Sequence, residues 1–258
     1  MSEATADNRV IFVSDWHMPP ERTAHTDFFI RFLDEVCTGA ERLFVLGDLF
    51  NAWVGPRHTG MPGHAAALDA LKRLANSGTN VVLLRGNRDF LLDRRTLRPY
   101  GLELSPRAWR GEAGGRAITL SHGDELTEDD RLHKTARAVT GNFPVSTFAK
   151  LLPLCASGML AAGYRWLSAH RRSRRKRKKL RPDERLVRAE FGAGADIIVI
   201  GHWHEPGIET NAFGLDGKTF VMLGDCTEVA ASYAELSGGT VNLQRFPGPD
   251  AANHAAST

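Results

Sequence analysis

One pattern recurs along the chain: a short, β-branched apolar run that ends in a small residue and then a polar one. It occurs as VIFVSD (10–15), LFVLGD (43–48), VVLLRGN (81–87), ITLSHGD (118–124), DIIVIGH (196–202) and FVMLGD (220–225). Continuous apolar runs of this length predict strands covered on both faces, since a strand with one wet face alternates. Between the runs, residues 25–37 place Phe28, Phe32, Leu33 and Val36 on one helical face. Residues 64–75 are rich in Ala and Leu, with Gly78 as the C-terminal stop, and residues 183–192 predict a helix before the strand at 196–200. Strands alternating with helices predict an α/β (α+β) fold with a largely parallel or mixed sheet, stacked in layers.

The stretch from 125 to 185 breaks this rhythm. It carries apolar helical material (FAKLLPLCASGMLAAGYRWL, 148–167) and then RRSRRKRKKLR (171–181). We read it as a helical cap inserted between two parts of a core, 9–124 and 186–246, with a polar, disordered tail at 247–258. The basic run accounts for +9 of a net charge of +3, so the rest of the chain carries −6. The cationic character is therefore local, which predicts one contact with anions and not a basic surface throughout. Three scattered cysteines, Cys37, Cys155 and Cys226, fit a reducing cytoplasm better than a disulfide framework. No run approaches the roughly 20 apolar residues of a membrane span, and the N-terminus lacks the basic-then-apolar layout of a signal peptide. Nothing in the sequence specifies an oligomeric state.

In layered α/β folds, ligands bind beyond the carboxyl ends of the strands. Those ends here carry Asp15 and His17 (D-x-H), Asp48 (GD), Asn87 (GN), His122 (HGD), and His202 and His204 (H-x-H). Gly47, Gly86, Gly123 and Gly201 are expected to let the backbone turn there and approach an ion closely. A single Gly-Asp or Gly-His is ordinarily a turn, whereas five such elements after five buried strands point to metal. Carboxylate, amide and imidazole without thiolate suit Mn²⁺, Fe²⁺ or Zn²⁺, and octahedral preference favours Mn²⁺. Seven ligands exceed what one ion needs, so two ions sharing Asp48 are expected, because a carboxylate bridges and an imidazole does not.

D-x-H, GD, GN, HG and GH-x-H in this order resemble the calcineurin-like metallophosphoesterases. That resemblance implies a four-layer αββα sandwich. It gives Asp15, His17, Asp48 and His204 to one ion and Asp48, Asn87, His122 and His202 to the other. The longer segments GDLFNAWVG (47–55), RGNRDFLLDRR (85–95) and HGDELTEDD (122–130), with LLPL before a basic helical stretch, are similar to the UDP-2,3-diacylglucosamine diphosphatases of lipid A biosynthesis. The similarity implies hydrolysis of the pyrophosphate to UMP and 2,3-diacylglucosamine 1-phosphate, with metal-activated hydroxide attacking the α phosphorus. Asn87 and Arg88 are then the candidate catalytic pair, since the guanidinium fork of Arg88 can span pyrophosphate oxygens. Asn87, Arg88, Asp130, Arg165, Ser168 and His202 fall at substrate-contacting positions, though Asp130 equally fits an N-cap. Trp203 and His133 replace the usual Thr and Tyr.

The insertion suits a lipid: Leu151, Leu152, Leu154, Met159, Leu160, Tyr164, Trp166 and Leu167 can line an acyl trough or simply pack a cap on the core. The basic run fits anionic head groups at about 1 kcal/mol per cation, or a solvated segment. The partners implied are a lipid-linked UDP-sugar and the inner face of the cytoplasmic membrane, with the protein peripheral there. A phosphodiesterase acting on nucleic acid or another nucleotide-sugar is the alternative. The run lacks the interleaved aromatics that stack bases, and the body is acidic, which opposes nucleic acid. A non-enzymatic scaffold is disfavoured because all seven ligand positions are filled.

Overall fold

The computed structural model describes residues 9–105, 108–126, 181–228 and 230–247. Eleven strands form two sheets among these residues. The first runs β11(Thr240–Pro247), β10(Ala230–Ser237), β1(Val10–Val13), β2(Arg42–Val45), β3(Asn80–Leu84), β4(Glu103–Ser105). The second runs β5(Ala108–Ala113), β6(Arg116–Ser121), β7(Ile197–Ile200), β9(Thr219–Met222), β8(Gly207–Thr210). The centre of each sheet is parallel, β1 to β4 in one and β6, β7 and β9 in the other, with antiparallel strands at the margins. All six repeated apolar runs are parallel strands, as their continuous hydrophobicity predicts.

The alternation hidden inside those runs builds the layers. Because successive side chains point to opposite faces, Ile11, Val13, Leu43, Val45, Val81 and Leu83 pack in one core. There they meet α1(Ala24–Phe32) and α2(Pro62–Asn76) through Phe28, Phe29, Phe32, Leu68 and Leu71. Their neighbours Val10, Phe12, Phe44, Leu46, Val82 and Leu84 point the other way and meet Ile118, Leu120, Ile197, Val199 and Val221 between the sheets. Phe12 and Phe44 stack there with centroids 5.6 Å apart. Ile198, Ile200 and Phe220 face outward from the second sheet onto Val187 and Phe191 of a helix at Glu184–Gly192. Helix, sheet, sheet, helix is the four-layer αββα sandwich.

Several boundaries differ from expectation. The helix after the insertion starts at Glu184, ahead of the core limit placed at 186, because Asp183 caps it by accepting from Arg185 N at 2.8 Å. Pro247, assigned to the tail, is still paired in β11 opposite Ala230. Strands β4, β5, β8, β10 and β11 were not foreseen: four are sheet edges, and β10 alternates buried with half-buried positions along much of its length, so none presents a continuous apolar run. Leu126 and Asp183 lie side by side, the N–H of Asp183 donating to Leu126 O at 2.8 Å. Asp130, Arg165, Ser168, His133, Cys155, the cap and its acyl-trough residues, the basic run up to residue 180, and the tail beyond 247 lie outside the described residues. Among the described residues no helix is long and apolar enough to cross a membrane.

Candidate metal centre

Five of the seven candidate ligands sit where L-residues rarely go. Asp15 (φ 57°), His17 (φ 48°), Asp48 (φ 52°), His202 (φ 75°) and His204 (φ 57°) are all left-handed. Such backbone persists only where its surroundings over-determine it, and it clusters at functional sites. The D-x-H turn shows how. Trp16 is fully buried against Phe28, Phe29 and Phe32, and its carbonyl accepts from His25 Nε2 at 2.6 Å. With the middle residue drawn into the helix-side core, Asp15 and His17 face the opposite way together. The turn is laced to the one after β2 by Asp15 N to Gly47 O (3.2 Å), His17 N to Asp48 O (2.9 Å) and Met18 N to Leu49 O (2.8 Å).

The seven side chains converge from both sheets. His17 Nε2 lies 3.5 Å from His204 Nε2 and 3.8 Å from Asp15 Oδ1, while His204 Nε2 is 3.3 Å from that same oxygen. His17 Nδ1 is 3.7 Å from Asp48 Oδ2, and His122 Nε2 is 3.7 Å from Asp48 Oδ1. Asn87 Nδ2 reaches His202 Nδ1 at 3.2 Å, and the His122 and His202 rings stand edge to face, 5.1 Å apart. Among the described residues two groups have donor atoms near enough together for an ion: Asp15, His17 and His204, and Asp15, Asp48 and His122. Asp15 Oδ1, His17 Nδ1 and His122 Nε2 are buried without a hydrogen-bond partner. Buried polar atoms are normally satisfied, so these orphans fit a bound cation. His122 Nδ1 donates to Leu46 O at 2.9 Å, which turns Nε2 toward Asp48, a common outer contact of metal-binding imidazoles.

The electrostatics match a site built for added positive charge. Burial lowers His17 and His202, the latter to about 4, so both imidazoles are neutral at ordinary pH, the form a metal ion would require. Burial pushes Asp48 up to about 7. Asp15 is held low, because burial is outweighed by His122, His204 and His17. Burial opposes protonation of His122, yet Asp48 and Asp15 overcome it and raise that group to about 9. Without an ion, His122 serves as the counter-charge to the two carboxylates.

The glycines divide into two pairs, which corrects the expectation that all four turn the chain and approach an ion. Gly47 (φ 88°) and Gly123 (φ 106°) do supply positive φ, but Gly86 and Gly201 do not. A Cβ on Gly86 would collide with Asp48 Oδ1 and its backbone N, and one on Gly201 would collide with Ser14 Oγ and Asp15 Oδ2. What approaches these two glycines is a protein carboxylate.

Arg88 lies against the centre. Its N–H donates to Asp48 Oδ1 (2.9 Å), its Nε is 3.4 Å from Asp48 Oδ2, and its Nη1 donates to Asn51 Oδ1 (2.7 Å). The side chain is 13% exposed, so a loose surface ion pair is not what holds it. Trp203, in place of the usual Thr, stands edge-on to His202 and would meet any Cβ on Gly123. Sequence reasoning passed over Asn51, Asp89, Asp124 and Asp225. Asp225 ends the sixth strand-end motif and puts Oδ2 3.3 Å from His204 Nδ1, so the repeated pattern itself was the available signal.

Residues 8–206 match the calcineurin-like phosphoesterase family. A protein of Stenotrophomonas maltophilia called UDP-2,3-diacylglucosamine hydrolase is 37% identical over 239 residues, covering 89% of this chain and 95% of its own. Proteins of the same name from Xanthomonas oryzae (32% identical, 92% of this chain and 98% of theirs) and Serratia proteamaculans (29%, 92% and 98%) are also similar. The chain belongs to the calcineurin-like phosphoesterases and, within them, groups with the UDP-2,3-diacylglucosamine hydrolases.

Proposed function

We propose that this protein hydrolyses the pyrophosphate of UDP-2,3-diacylglucosamine, releasing UMP and 2,3-diacylglucosamine 1-phosphate. The observation that carries the reading is the meeting of seven metal-type side chains from both sheets, three of them with orphaned buried atoms, beside the guanidinium of Arg88. Asp15, His17, Asp48 and His204 would hold one divalent ion, and Asp48, Asn87, His122 and His202 the other, Mn²⁺ being favoured by the ligand types. Such a pair supplies an activated water near neutral pH and neutralises charge developing on the phosphoryl oxygens.

The chain's own residues do the rest. Arg88, pinned by Asn51, presents a fixed fork to oxygens of the pyrophosphate and orients it without needing to reorganise. His202 and Asn87, hydrogen-bonded to each other, border the same space and would contact the substrate as well. Asp225 orients His204, and Leu46 O orients His122. Asp130, Arg165 and Ser168 are retained as further substrate contacts, with the insertion reading the acyl chains and its basic run resting on anionic head groups at the inner face of the cytoplasmic membrane.

The test is UMP release from UDP-2,3-diacylglucosamine in Mn²⁺, run beside the deacylated UDP-sugar and a simple phosphodiester. The reading expects the diacylated compound to be turned over best. Absence of turnover with both metals demonstrably bound would sink it, and equal rates on the deacylated compound would remove the lipid specificity. Co-sedimentation with anionic vesicles, and loss of it when residues 171–181 are neutralised, tests the membrane contact.

A further inference from the structure

Asp89 plays no part in the chemistry outlined above, yet its carboxylate is completely buried. No lysine or arginine pairs with it among the described ion pairs. Its oxygens are divided between two turns: Oδ1 accepts from Gly86 N at 2.7 Å and Oδ2 from Leu49 N at 2.9 Å. Leu49 follows Asp48 in the turn after β2, and Gly86 precedes Asn87 and Arg88 in the turn after β3. The two turns are also in van der Waals contact, since a Cβ on Gly47 would lie 2.6 Å from Gly86 N. Arg88 N bonds Asp48 Oδ1 across the same junction, and Trp53 N bonds Arg88 O at 2.9 Å.

A buried carboxylate is a costly way to fill space, and its retention calls for a task that no apolar side chain performs. Two acceptor oxygens on one planar group fix two N–H donors at one separation. Those donors belong to the segments that carry the candidate bridging carboxylate and the candidate pyrophosphate-binding guanidinium. We propose that Asp89 is a positioning residue whose carboxylate staples the Asp48 turn to the Asn87–Arg88 turn and so sets the spacing between metal centre and substrate fork. This rests on the function proposed above.

Asp89→Asn keeps the shape but can accept only one of the two N–H groups, and it turns an NH₂ on the other. The loss expected from removing an outer contact of a metal site is about 10–100-fold. The experiment compares parent, Asp89→Asn and Asp196→Asn. Asp196 is a control because its carboxylate also ties a backbone N–H, that of Ala117 at 3.1 Å, away from the site. Asp89→Asn should weaken Mn²⁺ binding, read by titration without substrate, and should lower kcat by about 10–100-fold with a smaller change in KM. In its background Arg88→Ala should cost much less than it does in the parent, since the two act as one unit. Asp196→Asn should shift the melting temperature but none of these. Normal Mn²⁺ affinity and fully additive effects of Asp89→Asn and Arg88→Ala would overturn the proposal.

Because Mn²⁺ affinity is read without substrate, an inert parent enzyme would refute the proposed activity while leaving this test intact. Should Asp89→Asn not fold, hydrogen exchange on the unaltered protein decides. The Leu49 and Gly86 amides should exchange as slowly as those of β2 and β3, despite lying in turns. Fast exchange at both would overturn the staple.

Discussion

Gly201→Ala tests how tightly the two sheets are joined at the site. The added Cβ would stand 2.6 Å from both Asp15 Oδ2 and Ser14 Cβ, and would overlap Ser14 Oγ. Non-bonded heavy atoms need roughly 3.5 Å, so the turn after β7 must retreat by about 1 Å from the turn after β1. His202 N now donates to Asp15 Oδ2 at 2.8 Å, and a retreat of that size takes it beyond hydrogen-bonding range. Overpacking costs about 1–3 kcal/mol, and a lost bond to a charged acceptor about 1.5–3 kcal/mol. A combined loss of about 3 kcal/mol predicts a melting temperature lower by about 6–12 °C for a domain of this size. The catalytic loss should be larger, on the order of 100-fold, because it scales with misplacement and not with stability alone. The assay pairs thermal unfolding with turnover in saturating Mn²⁺, with Gly60→Ala as control, since nothing lies within 4 Å of a Cβ there. If Gly201→Ala keeps the parent's melting temperature and full turnover, the packing argument at this seam is wrong.

Asp48→Ala should abolish nearly all hydrolysis and much of the metal binding, measured as bound metal after gel filtration; near-parent rates would refute the site assignment. Asn51→Ala frees the Arg88 guanidinium from its 2.7 Å bond. It should lower kcat/KM by about 10-fold, the scale of one charge-assisted hydrogen bond, with metal content unchanged; loss of metal instead would mean that Asn51 supports the ions. In metal-free protein, His122 binds its proton more tightly when folded, since burial is outweighed by Asp48 and Asp15, with a value of about 9 against an ordinary 6.5. Its contribution to stability is therefore complete below 6.5 and is lost as pH rises through about 9. Melting temperature without metal should fall between pH 6.5 and 9, and Mn²⁺ should flatten that fall; a metal-free profile that is level over this range contradicts the assigned charges.

The fold was legible where burial is two-sided. Val10, Phe12, Ile197 and Val199 leave no polar alternation because layers cover both faces, so the central strands stand out as apolar runs. Edge strands such as β8 are exposed along most of their length and read as loops. The candidate ligands were legible because chemistry restricts them to a few residue types at strand ends. The supports were not. Asp89 and Asn51 are defined by which backbone N–H or guanidinium they meet, contacts that depend on two separate turns coming together. Gly86 and Gly201 could be picked out from sequence, but not the carboxylates that crowd them.

The bond between Asp183 N and Leu126 O holds the two flanks of residues 127–182 side by side. A short turn joining these two residues would preserve every strand, helix and candidate ligand described above. On the function proposed above, the intervening segment is in evolutionary terms a cassette, whose length and sequence are expected to vary between relatives without moving the candidate ligands. Selection on acyl-chain recognition would thereby be separated from selection on the chemistry, while Arg88, Asn87 and His202 keep recognition of the pyrophosphate within the core. A chimera carrying a relative's segment between Leu126 and Asp183 would therefore retain a folded, metal-competent core while inheriting that relative's preference.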